Sequence, residues 1–377
     1  MNRYLLASLL LLLTALPAWA QIKDEPLPPR VAAMKMTLPT GFKATLFAGE
    51  PDVVQPIAFC FDDRGRLWVA ECLSYPNWQP DPKAGKDRIV IFEEGSDGAF
   101  SKRTVFADNI QNISGINYGF GGIWVCATPN LLFIPVMDPE GNPKRVGKPE
   151  RETKPAGPPE IVLDGWSLKA SHNVFNSLTW GPDGWLYGCN GIVATSLVGR
   201  PGTPEKDRVP INCGVWRYHP TKKKFEVVAH GTTNPWGLDF DEHGEMFITN
   251  CVIDHLWHVV PGAHYQRMYG NDLNPHVYKL MPSICDHIHW GGGNWTTSRA
   301  PANDLRAATV RERSDGYKVH SEAGGGHAHV GCMIYLGNNW PDRYRGGVFM
   351  CNLHGNRINH DILERNGSTY VARHGKD

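Results

Sequence analysis

A unit of about sixty residues recurs along this chain, and few folds accommodate such a period. Each copy is an apolar strand, a tight turn rich in Asp and Gly, and a second apolar strand. Pro56–Phe61 runs through Asp62-Asp63-Arg64-Gly65 into Leu67–Ala70. Asn176–Trp180 runs through Gly181-Pro182-Asp183-Gly184 into Trp185–Tyr187, and Trp236–Phe240 through Asp241-Glu242-His243-Gly244 into Met246–Ile248. Weaker copies are Ile116–Phe120 with Ile123–Val125, and Cys332–Tyr335 with Val348–Met350. The turn glycines 65, 122, 184 and 244 are spaced by 57, 62 and 60 residues. Gly347 follows only after 103, which places an insertion at about 264–326. A tight antiparallel reversal needs a residue with positive φ, and glycine supplies it. Third strands are expected at Arg88–Phe92 and Val215–Tyr218, and fourth strands at Arg103–Phe106 and Phe225–Val228. Four short antiparallel strands per repeat make a propeller blade, whereas a β-sandwich would give strands without the period. The expected fold is therefore all-β, a six-bladed β-propeller type spanning 41–377 with about five blades present. Phe42–Phe47 is expected as a further strand that joins the last blade. The ring is expected to be incomplete at the C-terminus, as in the front part of a longer protein.

This architecture converts sequence positions into one face. The first strand of a blade lines the channel and the second returns beside it, so first-strand starts and second-strand ends share a side. Entering are Gln55, Asn112, His172-Asn173, Asn234, His327 and His329. Leaving are Glu71, Asn190, Asn250, Asp254-His255, and His354 with Arg357. Polar channel mouths are common without chemistry, but several His and Asn with an Arg in one concavity suit a small molecule or an ion. Imidazole is the side chain best suited to take a hydroxyl proton near neutral pH, and His172 is the candidate base. His327 and His329 alternate on one side of an extended segment. Asp286-His287-Ile288-His289, inside the insertion, is read either as part of a flap or as half of a metal site.

Lys+Arg and Asp+Glu both number 38, which leaves no basic field for nucleic acid. Residues 1–20 carry Arg3, an apolar run from Leu5 to Leu13 and Ala18-Trp19-Ala20, the pattern of an export signal. Residues 21–40 read as an exposed leader, no membrane span is expected beyond the signal, and the location is periplasmic or envelope-associated. Nine Cys show neither zinc spacing nor a C-x-x-C-H haem motif. Most sit in apolar runs as small buried side chains.

Ser171–Tyr187 resembles the catalytic-histidine blade of soluble quinoprotein glucose/sorbosone dehydrogenases, and Gly231–Leu238 resembles their segment that contacts pyrroloquinoline quinone (PQQ). Phe42–Glu71 and His327–Asn359 are similar to the membrane-bound dehydrogenase family of planctomycetes and verrucomicrobia, in which such a propeller precedes helical repeats and a haem module. The resemblance implies a sugar or polyol hydroxyl oxidised as His172 removes its proton and hydride passes to the quinone. Asn234, Arg357, Asn173, His329 and His354 would contact that cofactor. Ca²⁺ would be held at Cys251, Val252 and Asp254, and a cytochrome c domain or protein would take the electrons. Two departures stand out: Thr233 occupies the place of an Arg, and Val252-Ile253 that of a Gly-Pro pair. The alternatives are a non-catalytic glycan- or protein-binding propeller and a metal-dependent lactonase.

Overall fold

The computed structural model describes residues 26–78, 85–137, 153–288, 318–319, 328–353 and 357–375. The chain divides into a short N-terminal unit ending at Leu46 and a large unit, Phe47–Asp377. The first contains one helical turn, α1 (Pro29–Met34), opened by a proline at its first position, where the missing N–H costs nothing. The proposed export signal lies outside the described residues.

The large unit is a series of antiparallel sheets. The first is β1 (Pro56–Phe61), β2 (Leu67–Glu71), β3 (Asp87–Glu94) and β4 (Phe100–Ile110), hydrogen-bonded in chain order. The second is β5 (Ile113–Gly119), β6 (Gly122–Ala127) and β7 (Asn130–Met137), with β8 (Lys154–Pro155) and β9 (Glu160–Leu163) both against β7. The third has β10 (Asn176–Trp180) and β11 (Leu186–Asn190). A hairpin of β12 (Ser196–Val198) and β13 (Val209–Ile211) follows, before β14 (Gly214–His219) and β15 (Lys224–Thr232) complete the sheet. The fourth is β16 (Asn234–Phe240), β17 (Met246–Cys251) and β18 (Leu256–Val259). Next, β19 (His264–Arg267) turns back to lie parallel to β15, and β20 (His287–Ile288) pairs with β21 (Lys318–Val319). The fifth sheet is β22 (His329–Ile334), β23 (Val348–Asn352), β24 (Arg357–Asn366) and β25 (Thr369–His374). Every expected strand pair from Pro56 onward is present.

The first strands of successive sheets are neighbours: β1 beside β5, then β10, β16 and β22. Their polar side chains stitch one sheet to the next. Ser114 Oγ donates to the Phe175 carbonyl (2.6 Å) and Asn117 Nδ2 to that of Leu178 (2.7 Å). Asn176 Nδ2 and Thr179 Oγ1 repeat the pattern on Pro235 and Leu238, both at 3.1 Å. The Ile334 N–H donates to Asp239 Oδ2 (2.8 Å). Between successive sheets lie apolar cores around Trp68 and Ile123, Trp216 and Leu131, Trp257 and Val215, and Phe247 and Val348.

Three expectations need correction. Phe42–Leu46 forms no strand, and Phe47 packs on Phe92 and Phe100 of the first sheet, its carbonyl accepting from the Phe100 N–H (3.2 Å). In the second and fifth copies the positive φ falls one residue earlier, at Gly121 (φ 80°) and Gly346 (φ 77°). Gly122 and Gly347 are instead close-packing positions, where a Cβ would stand 2.4 Å from Phe133 and His360 respectively. In the other copies Gly65, Gly184 and Gly244 hold φ of 74–79° and close their turns as expected.

Candidate functional site

Register places first-strand starts beside second-strand ends. Pro56 faces Glu71, Asn176 faces Cys189, Asn234 faces Cys251 and His329 faces Asn352. Left-handed backbone at non-glycine residues recurs near this end, at Gln55, Asn112, Ser177, Thr232 and Val252. Such conformations cost about 1–3 kcal/mol each and persist only where surrounding structure imposes them.

Two shared donors join the third and fourth sheets here. The Trp236 indole N–H donates both to the His172 carbonyl (3.1 Å) and to Asn234 Oδ1 (3.0 Å). The Ile192 N–H donates both to the Thr233 carbonyl (2.9 Å) and to Asn173 Oδ1 (3.3 Å). His172 is exposed, Asn173 is half-buried and Asn234 is buried. The loops His172-Asn173 and Thr233-Asn234 are thereby held as one surface. Asn234 Oδ1 is engaged by Trp236, so the group it can offer a ligand is its amide NH₂.

Other polar residues of the face brace the backbone. Glu71 accepts from the Val54 N–H (2.8 Å) and pairs with Arg88. Asn112 Nδ2 donates to the Thr128 carbonyl (3.1 Å). Asn250 Oδ1 accepts from the N–H groups of Thr233 (3.2 Å) and Asn234 (2.8 Å). Its Nδ2 faces the carbonyls of Cys251 (3.1 Å), Ile253 (2.6 Å) and Asp254 (3.4 Å).

That last arrangement does not fit calcium at the Cys251 and Asp254 carbonyls. The Asn250 amide donor stands where the carbonyls of Cys251, Ile253 and Asp254 converge and supplies the positive pole a cation would otherwise supply. The Asp254 carboxylate accepts from Ser283 Oγ (2.9 Å), and its carbonyl also accepts from the Trp257 indole (3.1 Å). Thr233, buried and neutral, offers no charge to a carboxylated quinone, so the calcium-held quinone has an incomplete clamp. Arg357 stands opposite Asn352 at the start of β24, half-buried. His354 and His327 lie outside the described residues.

His329 is buried rather than presented at an open mouth, its ring centroid 5.2 Å from that of His255. It borders a second cluster between the fourth and fifth sheets. His255 Nε2 is 2.8 Å from Asp361 Oδ2, and His287 Nε2 is 3.4 Å from Asp361 Oδ1. All three residues are buried. Burial disfavours the His287 cation, but hydrogen bonds to Asp361 and Asp286 outweigh it and hold the imidazole above its ordinary value. Sequence reading singled out Asp286-His287 and Asp254-His255 but missed Asp361. The sequence offered only the polar run Asn359-His360-Asp361, which the structure buries within β24.

The fold and this end of it define a protein of serial antiparallel β-sheets with polar loops gathered where first strands begin. The chain belongs to the family described as a domain of unknown function, DUF7133, whose model matches residues 28–377. No curated protein matches it. Among solved structures it is similar to the PQQ-bound form of aldose sugar dehydrogenase from Streptomyces coelicolor, at 15% identity and TM-score 0.47, covering 86% of this chain and 81% of that one. It is similar also to the pyranose dehydrogenase PQQ domain from Coprinopsis cinerea (11%, TM-score 0.42, 85% and 78%). A third is the periplasmic gluconolactonase PpgL of Pseudomonas aeruginosa (10%, TM-score 0.38, 85% and 69%).

Proposed function

We propose that this chain is an exported, periplasmic or envelope-associated propeller domain that oxidises a hydroxyl of a sugar or polyol. The observation that carries this reading is the pair of shared donors, Trp236 and Ile192, that lock His172-Asn173 to Thr233-Asn234. A polyhydroxylated ligand presents donors and acceptors in an array, and a rigid polar surface of matching type lowers the entropy cost of holding it. The His172 imidazole takes the hydroxyl proton of the substrate, and the Asn234 amide NH₂ orients the oxygen beside it. Arg357 would neutralise the carboxylates of a quinone acceptor. The C–H bond at the same carbon breaks as the carbonyl forms, and its hydride would pass to a two-electron acceptor of quinone class supplied from outside the chain, with cytochrome c as the later one-electron acceptor. With Thr233 and Asn250 placed as they are, no step is assigned to a calcium-held quinone.

The test is dye-linked oxidation of a panel of aldoses and polyols by the purified chain, with and without added PQQ and Ca²⁺. At least one substrate is expected to drive dye reduction, and His172→Ala is expected to lower the rate by about 10²–10⁴-fold with the fold intact, the range of a general base. Saturable sugar binding without turnover under every condition would instead establish a non-catalytic glycan-binding propeller. The observation favouring that second reading is how many of the mouth's polar groups already serve as backbone braces.

A further inference from the structure

The most concentrated metal-ligating chemistry in the described residues lies away from the His172 loops. His255 follows the loop that leaves β17, Asp361 sits on β24, and His287 belongs to the stretch before β21. That stretch is threaded between the two sheets. The Ile284 N–H donates to the Leu256 carbonyl (3.3 Å), the Ala372 N–H to the Ile284 carbonyl (2.8 Å), and the Asp286 N–H to the Ala372 carbonyl (3.1 Å). Three pieces of chain distant in sequence are thus registered by backbone bonds before any side chain is considered.

We propose that His255, His287 and Asp361 bind a divalent transition metal of the zinc class, clasping the fourth sheet, the 284–288 segment and the fifth sheet together. The donor set is two imidazole nitrogens and a carboxylate, a combination that suits zinc and its neighbours better than calcium or magnesium. The three ligand atoms lie within 4.8 Å of one another. Ligands about 2.0–2.2 Å from a tetrahedral ion stand about 3.4 Å apart; here His255 and His287 stand 2.8 and 3.4 Å from the two separate oxygens of Asp361, and no pair of ligand atoms exceeds 4.8 Å. Adjustments of about an ångström bring the three atoms to that spacing. His287 has the outer-shell partner that metal-bound imidazoles usually have. Its Nδ1 is 2.8 Å from Asp286 Oδ1, which fixes the ring with Nε2 towards Asp361, and Arg373 anchors Asp286 from the other side (2.9 Å). Burial of all three ligands removes competing water. The Cys285 thiol, 3.5 Å from His255 Nε2, lies next to the position a fourth ligand would take.

The experiment is calorimetric titration of the full, chelator-stripped chain with Zn²⁺ alone, together with anomalous scattering at the zinc edge from crystals of the unmodified protein. One equivalent should bind with micromolar or tighter affinity, and the anomalous peak should fall among His255, His287 and Asp361. His255→Gln should abolish stoichiometric binding. Asp286→Asn, which leaves every ligand in place, should weaken it by about 10–100-fold. His172→Ala should bind zinc as the parent does, separating this site from the sugar site proposed above. No binding at millimolar Zn²⁺, an anomalous peak elsewhere, or a His255→Gln variant that binds like the parent would overturn the proposal.

Discussion

At the scale of residues, what a polar group does here is decided by its partners rather than by its type. Asn250 and Asn234 occupy matching ends of neighbouring strands, yet one is spent bracing backbone and the other keeps an NH₂ to offer. Spacing could place both at the mouth, but hydrogen bonds between loops are not written in spacing. The cysteines show the same rule. All nine are free thiols, most are buried, and burial pushes Cys60 and Cys213 up to about 12. They serve as small apolar side chains, as their place in apolar runs suggests. His230 yields a pH dependence. Burial and then the charge of the stacked His264 ring, 4.8 Å away, push its imidazole below the ordinary 6.5. The folded state therefore binds fewer protons than the unfolded chain once pH falls below about 6.5. Stability should be full above that value and decline as pH drops from it towards the lowered folded-state value. His287, held above its ordinary value, acts in the opposite sense, so the test is a difference: between pH 7.5 and 5 the urea midpoint of the parent should fall relative to that of His230→Gln, and parallel curves would assign the effect elsewhere.

Among elements, the period of the sequence decided the result. The strand–turn–strand copies at Asp62, Gly181 and Asp241 fold as expected because apolar alternation, β-propensity and a positive-φ glycine agree locally. Phe42–Leu46 failed as a strand because alternation alone does not supply a partner edge. Its neighbour Phe47 is held by aromatic packing and one hydrogen bond instead. Within first strands the polar residues Ser114, Asn117, Asn176 and Thr179 stitch adjacent sheets. Asn176→Ala should remove the bond to the Pro235 carbonyl and the one to Val174 (2.9 Å), both buried. The expected cost is about 1–3 kcal/mol, read as a lower urea midpoint with an unchanged slope. No loss of stability would show that the stitching contributes little.

Among its described residues, the large unit is a series in which each sheet shares an apolar core with the next. That the sheets come in series, and at which end their polar loops gather, was legible in the sixty-residue period. The His255–His287–Asp361 cluster was not, because its members are contributed by a loop, a threaded segment and a third strand that only tertiary packing brings together. Among the described residues no helix is long and apolar enough to cross a membrane. The resemblance to quinoprotein segments proved informative in an unexpected way. Its two stretches, one ending in Tyr187 and the other starting at Gly231, are joined in space by Trp236 and Ile192, while the donors around residues 251–254 do not fit calcium. The most direct measurement of the proposed site is a crystal structure of the protein soaked with a sugar or polyol that it binds. Ligand density is expected within hydrogen-bonding distance of the His172 imidazole and the Asn234 amide. Density at the opposite turns, beside Gly65, Gly184 or Gly244, would contradict it.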